Sequence, residues 1–121
     1  MSLSTEELEE IGTAKLVEIE TRSSGRVFRT VIWVVVDGED VFVRSVRGRA
    51  GRWFQRALAD PEVNLRVGDA RFRFTALPAA DADSVERTSG ALRRKYRKGG
   101  SLESMLRDEV LDTTLLLQPM S

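Results

Sequence analysis

Five arginines (Arg44, Arg47, Arg49, Arg52 and Arg56) share thirteen positions with Gly48 and Gly51 in the segment RSVRGRAGRWFQR, residues 44–56. Arginine suits phosphate and carboxylate because its planar guanidinium is permanently charged and donates as a bidentate fork. The segment reads as a strand end running through two glycines into a helix that begins at Arg52 or Trp53. Free N–H groups and the positive dipole end of such a helix favour an anion, and glycine lets the backbone approach it closely. The spacing matches neither the P-loop nor the dinucleotide fingerprint. The competing reading is a solvated loop whose arginine stems cover apolar surface.

The charge is a local concentration, because the whole chain carries 19 Lys+Arg against 19 Asp+Glu and a formal net charge of zero. Residue types that are missing narrow the chemistry further. With no cysteine there are no disulfides, thiol nucleophiles or thiolate metal sites. With no histidine the Ser-His-Asp class, most zinc sites and the usual general base near neutral pH are excluded. Any redox or transfer chemistry would belong to a bound cofactor, with the protein supplying orientation and electrostatics. No catalytic side chain and no metal site are therefore expected.

The elements that must position the arginine turn follow from periodicity. The length of 121 residues fits one domain. No apolar run approaches the roughly 18–20 residues of a membrane-spanning helix. The acidic start MSLSTEELEE lacks a secretory pattern, so a cytoplasmic protein is expected. Ser4 and Glu7 fit a capping box for a helix over about 4–11, with Gly12 as its stop. Six strands are expected between about 15 and 118. The first carries Val17 and Ile19 against Glu18 and Glu20. The second runs from about Val27 to Val36, with no polar residue from Val31 on, as in a strand covered on both faces. Asp37-Gly38 marks a hairpin into a third strand over about Asp40–Ser45. Strands four and five are joined at Gly68-Asp69 and turn Val63, Leu65, Val67, Phe72, Phe74 and Ala76 inward. A helical region over about 81–107 is capped by Asp81 or Asp83 and carries the stripe Val85, Leu92 and Tyr96. A closing strand occupies about 110–118. One antiparallel sheet curled into a small barrel with peripheral helices is the most economical architecture.

Within that frame Arg29, on strand two, either joins Ser45, Arg47 and the helix start on one phosphate or pairs with Glu18 or Glu20 of strand one. Trp33 is a core or dimer-interface residue, or else a wall against a planar ring. Trp53 anchors its helix or turns its N–H to a ligand. The second basic cluster (Arg93, Arg94, Lys95, Arg97, Lys98, around Tyr96) reads as a solvated helix end, where cations are favoured. Nucleic-acid binding is its minor alternative.

Residues 24–69 carry a family pattern in Ser24-Gly25, Arg29-Thr30-Val31, Ser45 through Gly48, Trp53-Phe54 and Asp60 through Val63. This stretch resembles the core of the flavin- and deazaflavin-binding split-barrel superfamily (pyridoxamine-phosphate-oxidase-like). It is most similar to a small bacterial group near the deazaflavin-dependent nitroreductases. The resemblance implies a six-stranded antiparallel split β-barrel, commonly a homodimer, with a phosphorylated cofactor (FMN or a deazaflavin) near strands two and three. It puts Arg29 and Thr30 at the phosphate side and Trp33 near the ring system. Ser45, Val46 and Arg47 would contribute backbone and charge. With Gly48, Arg49, Arg52 and Trp53 from the turn and helix start, these form the expected cofactor site. Arg56, a turn into the helix, is left out. The expected function is a flavin- or deazaflavin-dependent oxidoreductase acting on a small organic acceptor. A cofactor-free module binding a small anion, or a dimeric interaction module, is the alternative.

Overall fold

The computed structural model describes residues 2–97 and 99–120, so Lys98 of the basic cluster lies outside the described residues. Helix α1 (Thr5–Thr13) begins with the expected capping box: Ser4 Oγ accepts from Glu7 N–H, and the Glu7 carboxylate accepts from Ser4 N–H at 2.8 Å. Strands β1 (Val17–Ser23) and β2 (Arg26–Ile32) form a hairpin whose turn residues Ser24 and Gly25 both have positive φ, 51° and 75°. After two residues outside any strand, Trp33 and Val34, comes β3 (Val35–Asp37), which pairs with β4 (Asp40–Val43).

A 3-10 turn (Gly48–Ala50) and helix α2 (Arg52–Ala59) lead to the hairpin of β5 (Glu62–Val67) and β6 (Ala70–Pro78). Helices α3 (Ala82–Lys95), α4 (Gly100–Leu106) and α5 (Asp108–Leu111) precede β7 (Leu115–Pro119), which inserts between β6 and β4.

All seven strands form one antiparallel sheet in the order β2-β1-β5-β6-β7-β4-β3. Consecutive strands β2 and β3 thus occupy opposite edges. Three peptide units separate Ile32 from Val35, a span of at most about 11 Å. A flat sheet of this order would hold its edges about 29 Å apart. The sheet must therefore curl until its edges meet at Trp33 and Val34. Inside the curl lie Ile19, Leu65, Phe74, Leu115 and Leu117, all at most 1% exposed. A second cluster (Val35, Phe42, Leu92, Tyr96, Leu102 and Met105) packs α3 and α4 onto the β3–β4 side. Arg87 of α3 ties that layer down, reaching Asp37 at 2.6 Å and Asp40 at 2.9 Å.

The sheet has seven strands where six were expected. The apolar run VIWVVV is one strand by composition, but it turns the corner between the two sheet edges and divides into β2 and β3. Its uniform apolarity also has two sources: Val34 faces the barrel core and Val35 the second cluster, while Val31 is 57% exposed. Helix α1 runs past Gly12 to Thr13, and its C-cap is Ala14. Residues 110–114, expected in the closing strand, belong to α5 and a turn, and β7 starts at Leu115. Of the two capping candidates for α3, Asp81 is the one whose side chain accepts from Ser84 N–H.

Candidate functional site

The arginine turn is held by buried polar contacts. Ser45, 1% exposed, donates from Oγ to Gly48 O at 2.8 Å, while its own N–H donates to Thr113 Oγ1 at 3.1 Å. Gly48 has φ +62°, and a Cβ there would lie 3.1 Å from Glu109 O. Gly51 is tighter: a Cβ would sit 2.3 Å from Ser45 Oγ. Gly51 is also the N-cap of α2 and has no side chain to cap it. The first amide N–H groups of α2 are therefore left without intrahelical acceptors.

These elements border a cavity of about 590 Å³ beside the corner where β2 ends at Ile32 and Trp33 follows. One wall is the end of β2 (Thr30, Val31, Ile32) with Trp33; another is the turn, with Arg44, Ser45, Val46, Arg47 and Gly51. Helix α2 contributes Arg52, Trp53 and Arg56, and α4 contributes Ser101, Ser104 and Met105. Four arginines line this space, and among the described residues no Asp or Glu does. Arg52 and Arg56 are four apart and share one helical face. Arg56 is fixed by a hydrogen bond from Nε to Thr21 Oγ1 (2.8 Å) and by the Phe28 ring, 4.2 Å from its guanidinium carbon. Arg47 and Arg52 are exposed.

Arg44 is different. It is 2% exposed and donates from Nε to Thr114 Oγ1 (2.9 Å), from Nη1 to Ser89 Oγ (3.0 Å) and Met105 O (2.9 Å), and from Nη2 to Val85 O (3.1 Å). Every one of these partners is neutral. Burial, with Arg93 nearby, pushes its pKa down to about 10, so it stays charged at neutral pH.

Aromatic surface completes the wall. Trp33 is stacked on Tyr96 with ring centroids 3.8 Å apart and planes within 5°. Tyr96 is anchored by donating its hydroxyl to Lys15 O at 2.8 Å, and burial raises its pKa to about 12. Trp53, 6% exposed, meets Phe54 edge-on at 6.2 Å.

Of the residues expected from sequence, Thr30, Trp33, Ser45, Val46, Arg47, Arg52 and Trp53 come together at this cavity. Three do not. Arg29 binds Glu20 at 2.7 Å on the other side of its strand, beside Asn64 and Arg71, which is the cross-strand alternative. Alternation turns its side chain away from that of Thr30. Arg49 points to Asp112, with Nε 2.7 Å from Oδ2, and Gly48 shapes the turn from below. Conversely, Arg56 does reach the cavity, because one turn of helix returns it to the face of Arg52. Arg44 and the α4 residues had no assigned role. Arg44 carried a sequence signal, a charge inside a strand pattern; Ser101 and Ser104 carried none, since their placement depends on how α4 folds back.

In the second basic cluster, Arg94 reaches Asp37 at 3.2 Å and Lys95 donates inward to Val34 O at 2.5 Å. Burial, reinforced by Lys15, lowers the Lys95 pKa to about 8.

Comparison with known proteins bears on the fold. The fold is shared with a conserved hypothetical protein from Mycobacterium tuberculosis (TM-score 0.71, 13% identity, 98% of this chain and 81% of that one). It is also shared with a NimC/NimA family protein from Clostridium acetobutylicum (0.65, 14%, 93% and 76%). A FAD-binding protein from Mesorhizobium loti is similar as well (0.64, 11%, 100% and 93%). At such identities the likeness is one of fold. No curated protein sequence matches the chain. Residues 7–117 match a family described as "Uncharacterized protein conserved in bacteria (DUF2255)", and the chain, a split barrel with an arginine-lined cavity, belongs to that family.

Proposed function

We propose that the protein binds a phosphorylated flavin-type cofactor, FMN or a deazaflavin, in the 590 Å³ cavity and reduces a small organic acceptor with it. The observation that carries this reading is the lining: Arg47, Arg52 and Arg56 beside an uncapped helix start, no carboxylate among the described residues, and two indoles. The volume lies within the range of small-molecule sites, about 300–1,000 Å³. The residues fit the group. Arg47, Arg52, Arg56 and the α2 amides would hold the phosphate, and Trp33 with its Tyr96 support would flank the ring. The cofactor supplies hydride or electron transfer. The protein binds, orients and excludes water, which suits a chain without histidine or cysteine. The FAD-binding neighbour of the same fold supports a flavin over other phosphorylated ligands.

Leu16, Val31 and Val46 line the mouth while 60%, 57% and 47% exposed, and a second copy closing over that rim is part of the reading. Calorimetric titration with FMN and with reduced deazaflavin tests the proposal. Dissociation constants below about 10 μM for one of them are expected; failure of both to bind at tens of micromolar would sink the cofactor reading.

A further inference from the structure

The cavity holds more positive charge than one phosphate needs, and its arginines are held in different ways. Arg52 and Arg56 project from α2, and Arg47 from the turn before it. Together with the α2 amides they suffice for a dianion. Arg44 is held differently. Its Nη1 bond to Met105 O fixes it against α4, whose Ser101, Ser104 and Met105, spaced three and four apart, face the same space.

Arg44 is also the cation least free to find another partner. None of the ion pairs among the described residues includes it. Its four hydrogen bonds prevent it from swinging out to water. Of the five N–H donors of a guanidinium, three on Nε and Nη1 and one on Nη2 are occupied, which leaves one on Nη2. A buried cation surrounded only by neutral dipoles is costly unless an anion joins it, and a neutral acceptor in the cavity would leave that cost in place. Thr114, Ser89 and two backbone carbonyls solvate the charge without cancelling it.

We propose that Arg44, with Ser101 of α4 lining the same cavity, is a second anion pole that receives the carboxylate of a small organic acceptor whose body lies on Leu16 and Met105. This rests on the cofactor reading for the word acceptor, but the binding pole itself does not. Arg44 acts here as a specificity residue that selects a monoanion over a neutral molecule of the same shape. Ser104 contributes less, because its hydroxyl already donates to Gly100 O at 2.8 Å.

The test uses benzoate and its neutral isostere benzamide as probes, titrated calorimetrically into the wild-type chain with and without saturating FMN. Wild type is expected to bind benzoate at least about tenfold more tightly than benzamide. Arg44→Gln should abolish that preference while FMN affinity stays within about twofold. If Arg44→Gln does not fold, Ser101→Ala, a change at an exposed position, should still reduce the preference about threefold. Equal binding of the two probes by wild type overturns the proposal, as does parallel loss of FMN and benzoate in Arg44→Gln. If FMN fails to bind, the cofactor reading falls by itself, and the probe preference of the cofactor-free chain still decides whether the pole exists.

Discussion

Single atoms decide how the arginine turn is built. Gly51 has no room for a methyl group, because Ser45 Oγ would stand 2.3 Å from it and is itself tied to Gly48 O. Gly51→Ala should destabilise the protein by about 1–3 kcal/mol, the usual scale of overpacking, and Ser45→Ala in the same chain should restore part of that loss. Chemical denaturation of the single and double variants checks this; an undiminished loss in the double variant contradicts it. Lys95 offers a pH test. Its folded pKa of about 8 lies below the roughly 10.4 of an unfolded lysine. The native state therefore gives up a proton before the unfolded state does. The lysine's contribution to stability rises with pH from about 8 to 10.4 and falls away below it. The melting temperature of Lys95→Met relative to wild type should accordingly be higher at pH 7 than at pH 10. A difference that does not change with pH contradicts this.

Helix α2 and the strands beside it sort the arginines by where their side chains lie. Arg52→Gln and Arg56→Gln should each weaken FMN binding about 10–100-fold, as expected for loss of a charged hydrogen bond of roughly 1.5–3 kcal/mol. Arg49→Gln and Arg29→Gln should leave affinity within about twofold, since those side chains face Asp112 and Glu20. Arg29→Gln has another signature. Burial raises the pKa of Glu20, and the hydrogen bonds from Arg29 and Asn64 with the nearby charge of Arg71 more than offset it. Without Arg29 the Glu20 pKa should rise, which NMR titration of the carboxyl reads directly. The sequence showed which helix and turn border the cavity, because strand periodicity and the Gly-Arg pattern are local. It could not choose between Arg29 on phosphate and Arg29 on Glu20, because that depends on the face each residue of β2 takes. It lost Arg56 for a related reason: judging by distance along the chain overlooked the four-residue return of a helix.

At the scale of the molecule, the site exists because the sheet curls until β2 and β3 meet. The run VIWVVV hid that corner, since its residues are apolar for two cores and one open rim, and no polar residue marks the break at Trp33 and Val34. The composition was more informative: a chain balanced in charge and without histidine or cysteine sets five of its arginines in one short segment, and four of these line the cavity. The exposed rim of Leu16, Val31 and Val46 leads to a prediction about assembly. With the proposed second copy on the rim, wild type should sediment as a dimer at micromolar concentration and Val31→Glu as a monomer; an unchanged sedimentation coefficient would remove the second copy from the rim. The central claim, a flavin-type cofactor held by the arginine cavity, meets its most direct test in fluorescence titration of FMN with wild type and with the Arg52→Gln/Arg56→Gln double variant. Quenching that saturates at low micromolar wild-type protein and is lost in the double variant is the predicted result; FMN fluorescence unchanged by wild type, or quenched equally by both proteins, contradicts it.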